Sequence, residues 1–385
     1  MFRLRRSVLA APSEGRFHVK PLLFYTGGFA PVGGVESFTS DLALALHRRG
    51  VRGNLACWGS HHQGIVALEE AGLRVLRSPW RWGCRWGWPD GVLALLALGR
   101  LRRADTVVFS KTFGQRVHRV LRALNPRASF VLVTAYRPSE MWGRSPHPRL
   151  RQVLNGFDRI IVQAGVFETD LRTLGYRGEV RVLPYVPPSA TVTPTPAMDV
   201  LRVGFLGRLV EQKNLSYLLA SMSELARARQ AQGKGTELWL IGDGLERHRL
   251  EENVRALSLQ GNVRFLGAIA REQLGPAVDA CHLFAFSSTS EGQCLAALDV
   301  LSRGRPVVAT PVGAFPEMLE DGRLGAVAPL GDPRSFAAVI AQIAARLESR
   351  EMTPEGIGIE YERSFPRDGI ISAYHSELTQ GSGKS

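Results

Sequence analysis

The chain has 385 residues, 45% of them hydrophobic and 22% charged, a composition that excludes the disordered class of proteins. A chain of this length is expected to fold as two domains. Its net charge of +13 is uneven, because residues 1–190 hold 28 Lys and Arg against 12 Asp and Glu, whereas residues 191–385 hold 20 against 23. The basic first half is expected to attract an anionic lipid surface, an acidic substrate or a nucleic acid, and charge alone does not choose among them.

The cellular setting is indicated by the cysteines and by the apolar runs. No two of the four cysteines have the CxxC spacing of a zinc site or redox motif, which favours a reduced environment. The apolar stretch near the start is too short for a signal peptide, and no run approaches the roughly 18 residues of a membrane span. We therefore expect a cytoplasmic protein that is neither secreted nor membrane-spanning.

Strand-like and helix-like segments alternate along the first half of the chain. The apolar runs "PLLFYTGG", "TVVFS", "SFVLVTA", "RIIVQ" and "VRVLPY" predict strands, and segments such as "GVESFTSDLALALHRRG" between them predict helices. This alternation is typical of a parallel sheet covered by helices on both faces. Residues 1–186 are therefore predicted to form one domain, and the Pro- and Thr-rich residues 187–199 a linker.

The same alternation restarts after the linker, with "VLRVGFLGRL", "ELWLIGDG", "NVRFLG", "CHLFAFSS" and "PVVATPVG" as strands. We predict an α/β fold of two tandem Rossmann-like, doubly wound domains that face a central cleft. The second domain is assigned to residues 200–360. A C-terminal helix within residues 361–385 is expected to return to the first domain and to be followed by a flexible tail.

Ligands of such sheets bind beyond the carboxyl ends of the strands, which directs attention to three segments that follow strands. In "TGGFAPVGGVESF", Gly33 and Gly34 allow close approach of the backbone to a phosphate, although a flexible connection would look the same. In "FLGRLVEQKNL", Arg208 and Lys213 are two cations that suit a diphosphate, although either one alone is compatible with a solvated surface.

The third segment, "STSEGQCLAALD", reads as a strand end, a glycine turn and a short helix. Glu291 stands at the turn, and a helix beginning near Gln293 or Cys294 would offer the backbone N–H groups of Cys294 and Leu295 to an anion. Asp299 lies about one and a half turns into that helix and reaches either the cleft or the surface. By contrast, "IGDGLER" is not a dinucleotide fingerprint, because Arg247 stands at its third glycine position.

These segments, in this order and in two tandem α/β halves, resemble the retaining glycosyltransferases of the GT-B fold, in particular glycosyltransferase family 4. The likeness spans nearly the whole chain and includes "VGFLGRLVEQKNLSYLLASM" and "STSEGQCLAALDVLSRGRPVVATPVGAFPEML". It implies an enzyme that moves a sugar from a nucleoside-diphosphate sugar to an acceptor. It further implies a hexosyltransferase that needs no metal ion and no cofactor apart from this donor substrate.

The resemblance assigns roles residue by residue. Arg208 and Lys213 match the basic pair that binds the donor pyrophosphate and stabilises it as a leaving group, so they are the expected catalytic residues together with Glu291. Glu291 matches the first acid of the family's Glu-x7-Glu motif, which contacts the transferred sugar. Asp299 stands at the second acid, which holds the ribose hydroxyls. The remaining donor-binding positions supply backbone or turn contacts: Gly33, Gly34, Gln293, Cys294 and Leu295.

The chain also departs from the family pattern. The second acid is Asp rather than Glu, and Tyr136 or Arg137 occupies the neighbourhood where members often carry a histidine. These departures leave a second hypothesis open, namely a catalytically degenerate protein or partner subunit that binds the nucleotide sugar without turnover. A nucleic-acid binder is a third hypothesis; it explains the basic half but gives the predicted donor site no purpose, so we expect no nucleic-acid partner.

The acceptor is expected on the basic first domain. Its segment "SPWRWGCRWGWPDG" interleaves Trp80, Trp82, Trp86 and Trp88 with arginines, a composition that suits either a membrane interface or aromatic packing on the sheet. The sequence therefore predicts a peripheral enzyme on the inner face of the cytoplasmic membrane. Its expected acceptor is a lipid-linked glycan or a lipopolysaccharide- or exopolysaccharide-type glycan.

Overall fold

The computed structural model describes residues 21–28, 34–58, 63–78, 97–110, 112, 115–134, 137–139 and 148–379. They group into two compact units. The first unit contains the described residues before 187 together with those after 367, and the second unit contains residues 187–367. Within the described ranges, no helix has both the length and the apolar character needed to cross a membrane.

The described part of the first unit is built on a parallel sheet. Its strands are β1 (Leu22–Gly28), β2 (Gly53–Trp58), β3 (Arg74–Ser78), β4 (Thr106–Phe109), β5 (Ser129–Val133), β6 (Arg159–Val162) and β7 (Glu179–Val182). They lie in the order β3-β2-β1-β4-β5-β6-β7, and every pair is parallel. Strands β4 and β5 are buried along their whole length, and Phe109 packs against the rings of Tyr25, Phe130 and Phe157 in the core.

Helices connect these strands. They are α1 (Gly34–Arg48), α2 (Gln63–Glu70), α3 (Leu98–Leu101), α4 (Gln115–Leu124), α5 (Pro148–Leu154) and α6 (Gly165–Thr173). Helix α1 follows β1 and buries Phe38, Leu42 and Leu46, which recur at the spacing of one helical face. The helix therefore covers the sheet through an apolar stripe.

The second unit repeats this architecture on a smaller sheet. Its strands are β8 (Val200–Leu206), β9 (Gly235–Ile241), β10 (Val263–Gly267), β11 (Leu283–Phe286), β12 (Val307–Ala309) and β13 (Gly325–Val327). Its helices are α7 (Leu215–Gln230), α8 (Arg247–Ala256), α9 (Leu274–Asp279), α10 (Leu295–Leu301), α11 (Phe315–Met318), α12 (Pro333–Glu348) and α13 (Pro354–Ser364). Helices α12 and α13 begin at prolines that follow the capping residues Asp332 and Thr353.

The two sheets have the same order around their first strand. The second sheet runs β10-β9-β8-β11-β12-β13, and all of its strands are parallel. In each sheet the chain moves outward in one direction and then returns to the other side of the first strand, which defines a switch point. The prediction of two Rossmann-like α/β domains is confirmed.

Residues 187–199, predicted as a linker, are fixed to the second unit. The buried guanidinium of Arg305 donates to the carbonyl oxygens of Thr193 and Pro194, both at 2.8 Å, and to Thr193 Oγ1 at 3.0 Å. The hydroxyl of Thr193 in turn donates to Asp279 Oδ1 at 2.7 Å. A stretch whose composition suggests flexibility is thus held along part of its length by one buried cation.

The chain re-enters the first unit after residue 367, rather than at residue 361 as the predicted domain boundary has it. Tyr361 lies in α13 of the second unit, where its hydroxyl donates to the carbonyl oxygen of Pro188 at 2.8 Å. The last helix, α14 (Arg367–Thr379), packs in the first unit, where the Glu377 carboxylate pairs with Arg159 at 2.8 Å and with Arg181 at 3.0 Å. Tyr374 of α14 is fully buried, and its hydroxyl donates to the carbonyl oxygen of Leu183.

Candidate active site

Two predicted site segments meet at the switch point of the second sheet. Strands β8 and β11 are hydrogen-bonded neighbours there, although they are separated by β9 and β10 in sequence. Residues 207–214 follow the carboxyl end of β8, and residues 287–294 follow the carboxyl end of β11. The topology therefore brings Lys213 and Glu291, which are 78 residues apart, to one point of the sheet edge.

Lys213 and Glu291 form a buried ion pair at this edge. Lys213 Nζ lies 2.5 Å from Glu291 Oε1, and the exposed fractions of the two side chains are 15% and 7%. The buried hydroxyl of Ser288 donates to the same carboxylate oxygen at 2.7 Å. Both contacts use Oε1, so the arrangement holds one carboxylate oxygen in place and orients the other.

The ion pair keeps Lys213 protonated. Burial by itself lowers the pKa of this ammonium, but the charge of Glu291 and the hydrogen bond to it outweigh burial, so that the pKa is raised above its usual value. Arg208 acts in the opposite direction, as a nearby positive charge that lowers the pKa of Lys213. The site therefore carries a fixed cation at neutral pH, with a second cation close enough to affect it.

The backbones of the two segments are tied together. The N–H of Thr289 donates to the carbonyl oxygen of Gln212 at 2.9 Å, and the Gln212 amide donates to the carbonyl oxygen of Ser290 at 2.7 Å. The hydroxyl of Ser287 donates to the carbonyl oxygen of Lys213 at 2.8 Å. These bonds fix the spacing of Lys213 and Glu291 before any ligand arrives. Lys213 lies in a short 3-10 turn, Glu211–Lys213, and helix α7 begins two residues after it.

Arg208 is positioned by the segment "IGDG", residues 241–244, at the end of β9. The N–H groups of Gly207 and Leu209 on either side of Arg208 donate to carbonyl oxygens of that segment, both at 3.0 Å. A Cβ on Gly242 would lie only 1.9 Å from the carbonyl oxygen of Gly207, so glycine is required for this approach. The side chain of Arg208 is exposed, and no carboxylate in the described part of the chain forms an ion pair with it.

The turn after Glu291 leads into α10 as predicted, with Cys294 as its N-cap residue and Leu295 as its first helical residue. Cys294 is buried and has a φ of 54°. The turn packs tightly on a neighbouring loop, because a Cβ on Gly313 would lie 2.4 Å from the carbonyl oxygens of both Glu291 and Gly292. Burial raises the pKa of the Cys294 thiol, so it remains protonated beside the ion pair.

Asp299 is paired with an arginine from another segment of the second unit. It lies in α10, and its Oδ1 is 3.2 Å from a guanidinium nitrogen of Arg271. The exposed fractions of the two side chains are 22% for Asp299 and 38% for Arg271. Arg271 belongs to the short turn Arg271–Gln273 after β10, so a third segment of the second unit reaches the predicted site.

The remaining predicted positions, apart from Gln293, belong to the first half of the chain. Gly34 is the first residue of α1, whereas Gly33, Tyr136 and the tryptophans at 80, 82, 86 and 88 lie outside the described residues. Arg137 is paired with Asp170 at 2.8 Å, and this guanidinium and the hydroxyl of Ser139 help to hold the pKa of that carboxyl below its usual range. Gln293 is buried in the turn after Glu291.

Sequence reasoning missed the polar residues that hold the ion pair, namely Gln212, Ser287 and Ser288. A usable signal was present, because the run "SSTSEG" places several hydroxyl groups directly after an apolar strand. It also missed Arg271, which lies 28 residues before Asp299 in sequence.

Two family models match this chain, one in each unit. Residues 33–186 match a glycosyl transferase 4-like domain, and residues 200–346 match the glycosyl transferases group 1 domain. Among curated proteins, the lipopolysaccharide core biosynthesis glycosyltransferase LpsE of Rhizobium meliloti is 26% identical over 90% of this chain and 96% of its own length. The D-inositol 3-phosphate glycosyltransferase of Corynebacterium jeikeium is also 26% identical, over 85% of this chain and 86% of its own length.

Solved structures show the same fold. Anabaena HepE in complex with UDP and glucose superposes with a TM-score of 0.74 at 18% identity, over 93% of this chain and 99% of that one. The lipopolysaccharide outer core galactosyltransferase WaaB superposes with a TM-score of 0.66 at 15% identity, over 93% of this chain and all of that one. The chain is therefore a glycosyltransferase of the GT-B fold, with a 4-like domain followed by a group 1 domain.

Proposed function

We propose that this protein is a retaining hexosyltransferase that moves a sugar from a nucleoside-diphosphate sugar to a lipid-linked glycan or a lipopolysaccharide- or exopolysaccharide-type glycan. The buried Lys213–Glu291 pair, with the exposed Arg208 beside it, carries this proposal. A switch point is where sheets of this topology bind nucleotides, and the two cations there match an anionic diphosphate.

Lys213 and Arg208 bind the diphosphate in different ways in this proposal. An ammonium has three N–H donors, and Glu291 accepts from Lys213, so the remaining donors can point to a phosphate oxygen. Arg208 supplies a planar guanidinium that binds two phosphate oxygens at once. Negative charge grows on the diphosphate as the glycosidic bond breaks, and fixed cations at that position lower the barrier.

Glu291 orients the sugar rather than attacking it. Its Oε1 already accepts hydrogen bonds from Lys213 and Ser288, so Oε2 is the oxygen that accepts from sugar hydroxyls. A carboxylate held in this way is poorly placed to form a covalent bond to the sugar. We propose that the acceptor hydroxyl attacks from the face that the diphosphate leaves, and that the diphosphate itself takes the hydroxyl proton, which retains the anomeric configuration.

The other predicted positions complete the donor site in this proposal. The turn formed by Gln293, Cys294 and Leu295 offers backbone N–H groups to the phosphates, and Asp299 accepts hydrogen bonds from the ribose hydroxyls.

The acceptor assignment draws on the relatives and on charge. LpsE is named for lipopolysaccharide core biosynthesis, and the basic first half of this chain suits an acceptor attached to an anionic lipid surface. We accordingly place the enzyme on the inner face of the cytoplasmic membrane. Because Arg208 and Lys213 supply the positive charge that the leaving group needs, transfer is expected to continue in the presence of EDTA. A nucleic acid is not a partner in this proposal.

A thermal-shift series tests the donor site. UDP, GDP, ADP and their sugars are added to the wild type and to Arg208→Ala, and one nucleotide is expected to stabilise the wild type but not the variant. The matched control is Arg255→Ala, an exposed arginine in the same unit that should respond as the wild type does. If no nucleotide stabilises the wild type, the assignment of the donor site is wrong.

The donor found in this way is then used for transfer. Incubation with lipopolysaccharide precursors and NMR of the product should show the same anomeric configuration as in the donor sugar. An inverted product would overturn the retaining mechanism while leaving the donor site intact. Donor binding without transfer to any acceptor, and without hydrolysis, would favour the degenerate nucleotide-sugar binder instead.

A further inference from the structure

One helix of the first unit presents a row of arginines to solvent. Helix α4 buries His118 and Leu121, whereas Arg116, Arg119, Val120 and Ala123 are exposed. Positions three and four apart lie on the same face of a helix, so these four residues form one continuous stripe. Val120 is 54% exposed between the arginine side chains.

The end of α3 lies against the carboxyl end of α4. The side-chain amide of Asn125, at the end of α4, donates to the carbonyl oxygens of Leu101 at 2.6 Å and Ala104 at 2.7 Å, which fixes α3 against α4. Three further arginines are exposed beside this junction: Arg102, Arg103 and Arg127. We refer to Arg102, Arg103, Arg116, Arg119, Arg127 and Val120 as the arginine face.

The arginine face concentrates positive charge in a short stretch of the chain. In the described part of the chain, none of its five arginines is paired with a carboxylate, and residues 97–128 hold eight Lys and Arg but a single acid, Asp105. Some arginines elsewhere in this unit are paired, as Arg122 is with Asp158, whereas others, such as Arg52 and Arg177, are exposed without an ion pair among the described residues. The positive charge of this face is therefore not neutralised within the described unit.

Helix stability does not account for this arrangement. Cations stabilise the carboxyl end of a helix and destabilise its amino end, because the helix dipole is positive there. Arg116 is the second residue of α4 and Arg119 the fifth, and the first turn contains no acidic residue. Arg116 thus stands where the dipole opposes it, which indicates a use for its charge outside the helix.

We propose that the arginine face binds an anionic lipid surface. The proposal rests on the membrane location proposed above and names the surface that makes the contact, and it does not depend on the donor site. A membrane surface is favoured over a nucleic acid because an exposed apolar side chain lies among the cations. Arginine stems and Val120 can enter the boundary between headgroups and acyl chains while the guanidinium groups contact lipid phosphates.

Flotation with vesicles tests this surface. Wild-type protein is mixed at low salt with vesicles of phosphatidylcholine alone or of phosphatidylcholine with phosphatidylglycerol. Binding is expected only to the anionic vesicles, and it should weaken as salt is added. Arg116→Glu/Arg119→Glu is expected to lower the partition coefficient by more than about a hundredfold, since each cation near an anionic surface contributes several-fold.

The matched control is Arg255→Glu/Arg350→Glu, which changes the net charge equally in the second unit at exposed arginines without ion pairs among the described residues. It should keep most of the vesicle binding. Arg116→Glu places an acid at the amino end of α4, so the test variant should unfold at or above the wild-type temperature. Stabilisation by the nucleotide should be unchanged in both variants, which separates this proposal from that of the donor site.

Three outcomes would overturn the proposal. The wild type could fail to float with anionic vesicles at low salt. The test and control variants could lose binding equally, which would assign the effect to net charge. A single-stranded RNA oligonucleotide could displace the protein from vesicles at equimolar phosphate, which would make a nucleic acid the preferred ligand of this face.

Discussion

The two sheets have the same topology but carry different side chains at their switch points. Between β1 and β4, the buried hydroxyls of Thr26 and Ser110 are hydrogen-bonded to each other. Between β8 and β11, the corresponding place holds the buried charges of Lys213 and Glu291. Each of the two sheets thus has a switch point. The side chains at a switch point decide whether it suits an anion or a neutral group.

Loss of one charge at the second switch point should have the largest effect. Lys213→Ala leaves the Glu291 carboxylate buried without a cation, which is expected to lower the free energy of unfolding of the second unit by ~3–5 kcal/mol. Removal of a donor to the leaving group should also lower kcat/KM by roughly 100- to 1,000-fold. Urea unfolding and transfer assays measure the two effects.

The double variant Lys213→Met/Glu291→Gln separates stability from activity. It removes both charges, so most of the stability should return while transfer stays lost. The raised pKa of Lys213 means that the ion pair stabilises fully below the ordinary value of 10.5 and that this stabilisation is lost as pH rises through the raised value. An alkaline step of equal size in the wild type and the double variant would contradict this account.

Replacement of Arg208 should lower kcat/KM for the donor without changing the stability of the fold. Its side chain is exposed and its backbone is held by other residues, so Arg208→Ala is expected to unfold as the wild type does. The loss of a cation on the diphosphate should lower kcat/KM for the donor by about 100-fold. Steady-state kinetics with varied donor measure this, and Arg255→Ala is the control. Unchanged kinetics would remove Arg208 from the site.

Loss of the Arg271–Asp299 pair should have a smaller effect on donor binding than loss of the Lys213–Glu291 pair, because the Arg271–Asp299 pair is more exposed. Asp299→Ala is expected to weaken nucleoside-diphosphate binding by about tenfold, since it removes a charged acceptor of ribose hydrogen bonds. Arg271→Ala should weaken binding by no more than about fivefold, as expected for a partly exposed ion pair. Titration calorimetry with the nucleotide found in the thermal-shift series measures both.

Asp299→Glu tests the ribose role directly. The longer side chain should preserve or improve nucleotide affinity. In the Arg271→Ala background, Asp299→Glu should restore the nucleotide affinity that Arg271→Ala removes. A large loss in Asp299→Glu would contradict the assignment of Asp299 to the ribose.

A substitution at the first switch point, between β1 and β4, should have a small effect on stability and none on nucleotide affinity. Ser110→Ala removes a buried hydroxyl that donates to Thr26 and is expected to cost about 1 kcal/mol. Hydrogen exchange of the amides of β1 and β4 should report this loss locally, with nucleotide affinity unchanged. Thr26→Val/Ser110→Ala removes both partners and should be less destabilising than two separate losses. Reduced nucleotide affinity in Ser110→Ala would contradict the division of roles between the two switch points.

Most strands could be predicted from sequence, but β2 and β3 could not. β4 and β5 are short buried runs with a plain pattern, whereas β2 and β3, with "GNLACW" and "RVLRS", mix polar and apolar residues and escaped prediction. The family pattern predicted roles for Lys213 and Glu291, but it did not predict that they form a buried pair. That contact depends on β8 and β11 being neighbours, which is a property of the sheet order.

Other contacts were beyond sequence reasoning for the same reason. Arg305 reads as one cation in the basic turn "SRGRP", and only the folded chain shows that it binds the carbonyl oxygens of Thr193 and Pro194. Arg271 and Asp299 come together because the segment after β10 passes α10. Such pairs join distant segments, and local periodicity contains no information about them.

The position of α14 has a consequence for how the protein is made. The second unit is continuous in the described chain, so it can fold as soon as residue 367 has left the ribosome. The first unit, although its other residues are synthesised earlier, lacks Tyr374 and Glu377 until these residues have also left the ribosome. The order of folding during synthesis is therefore expected to be reversed, with the first unit completed after the second.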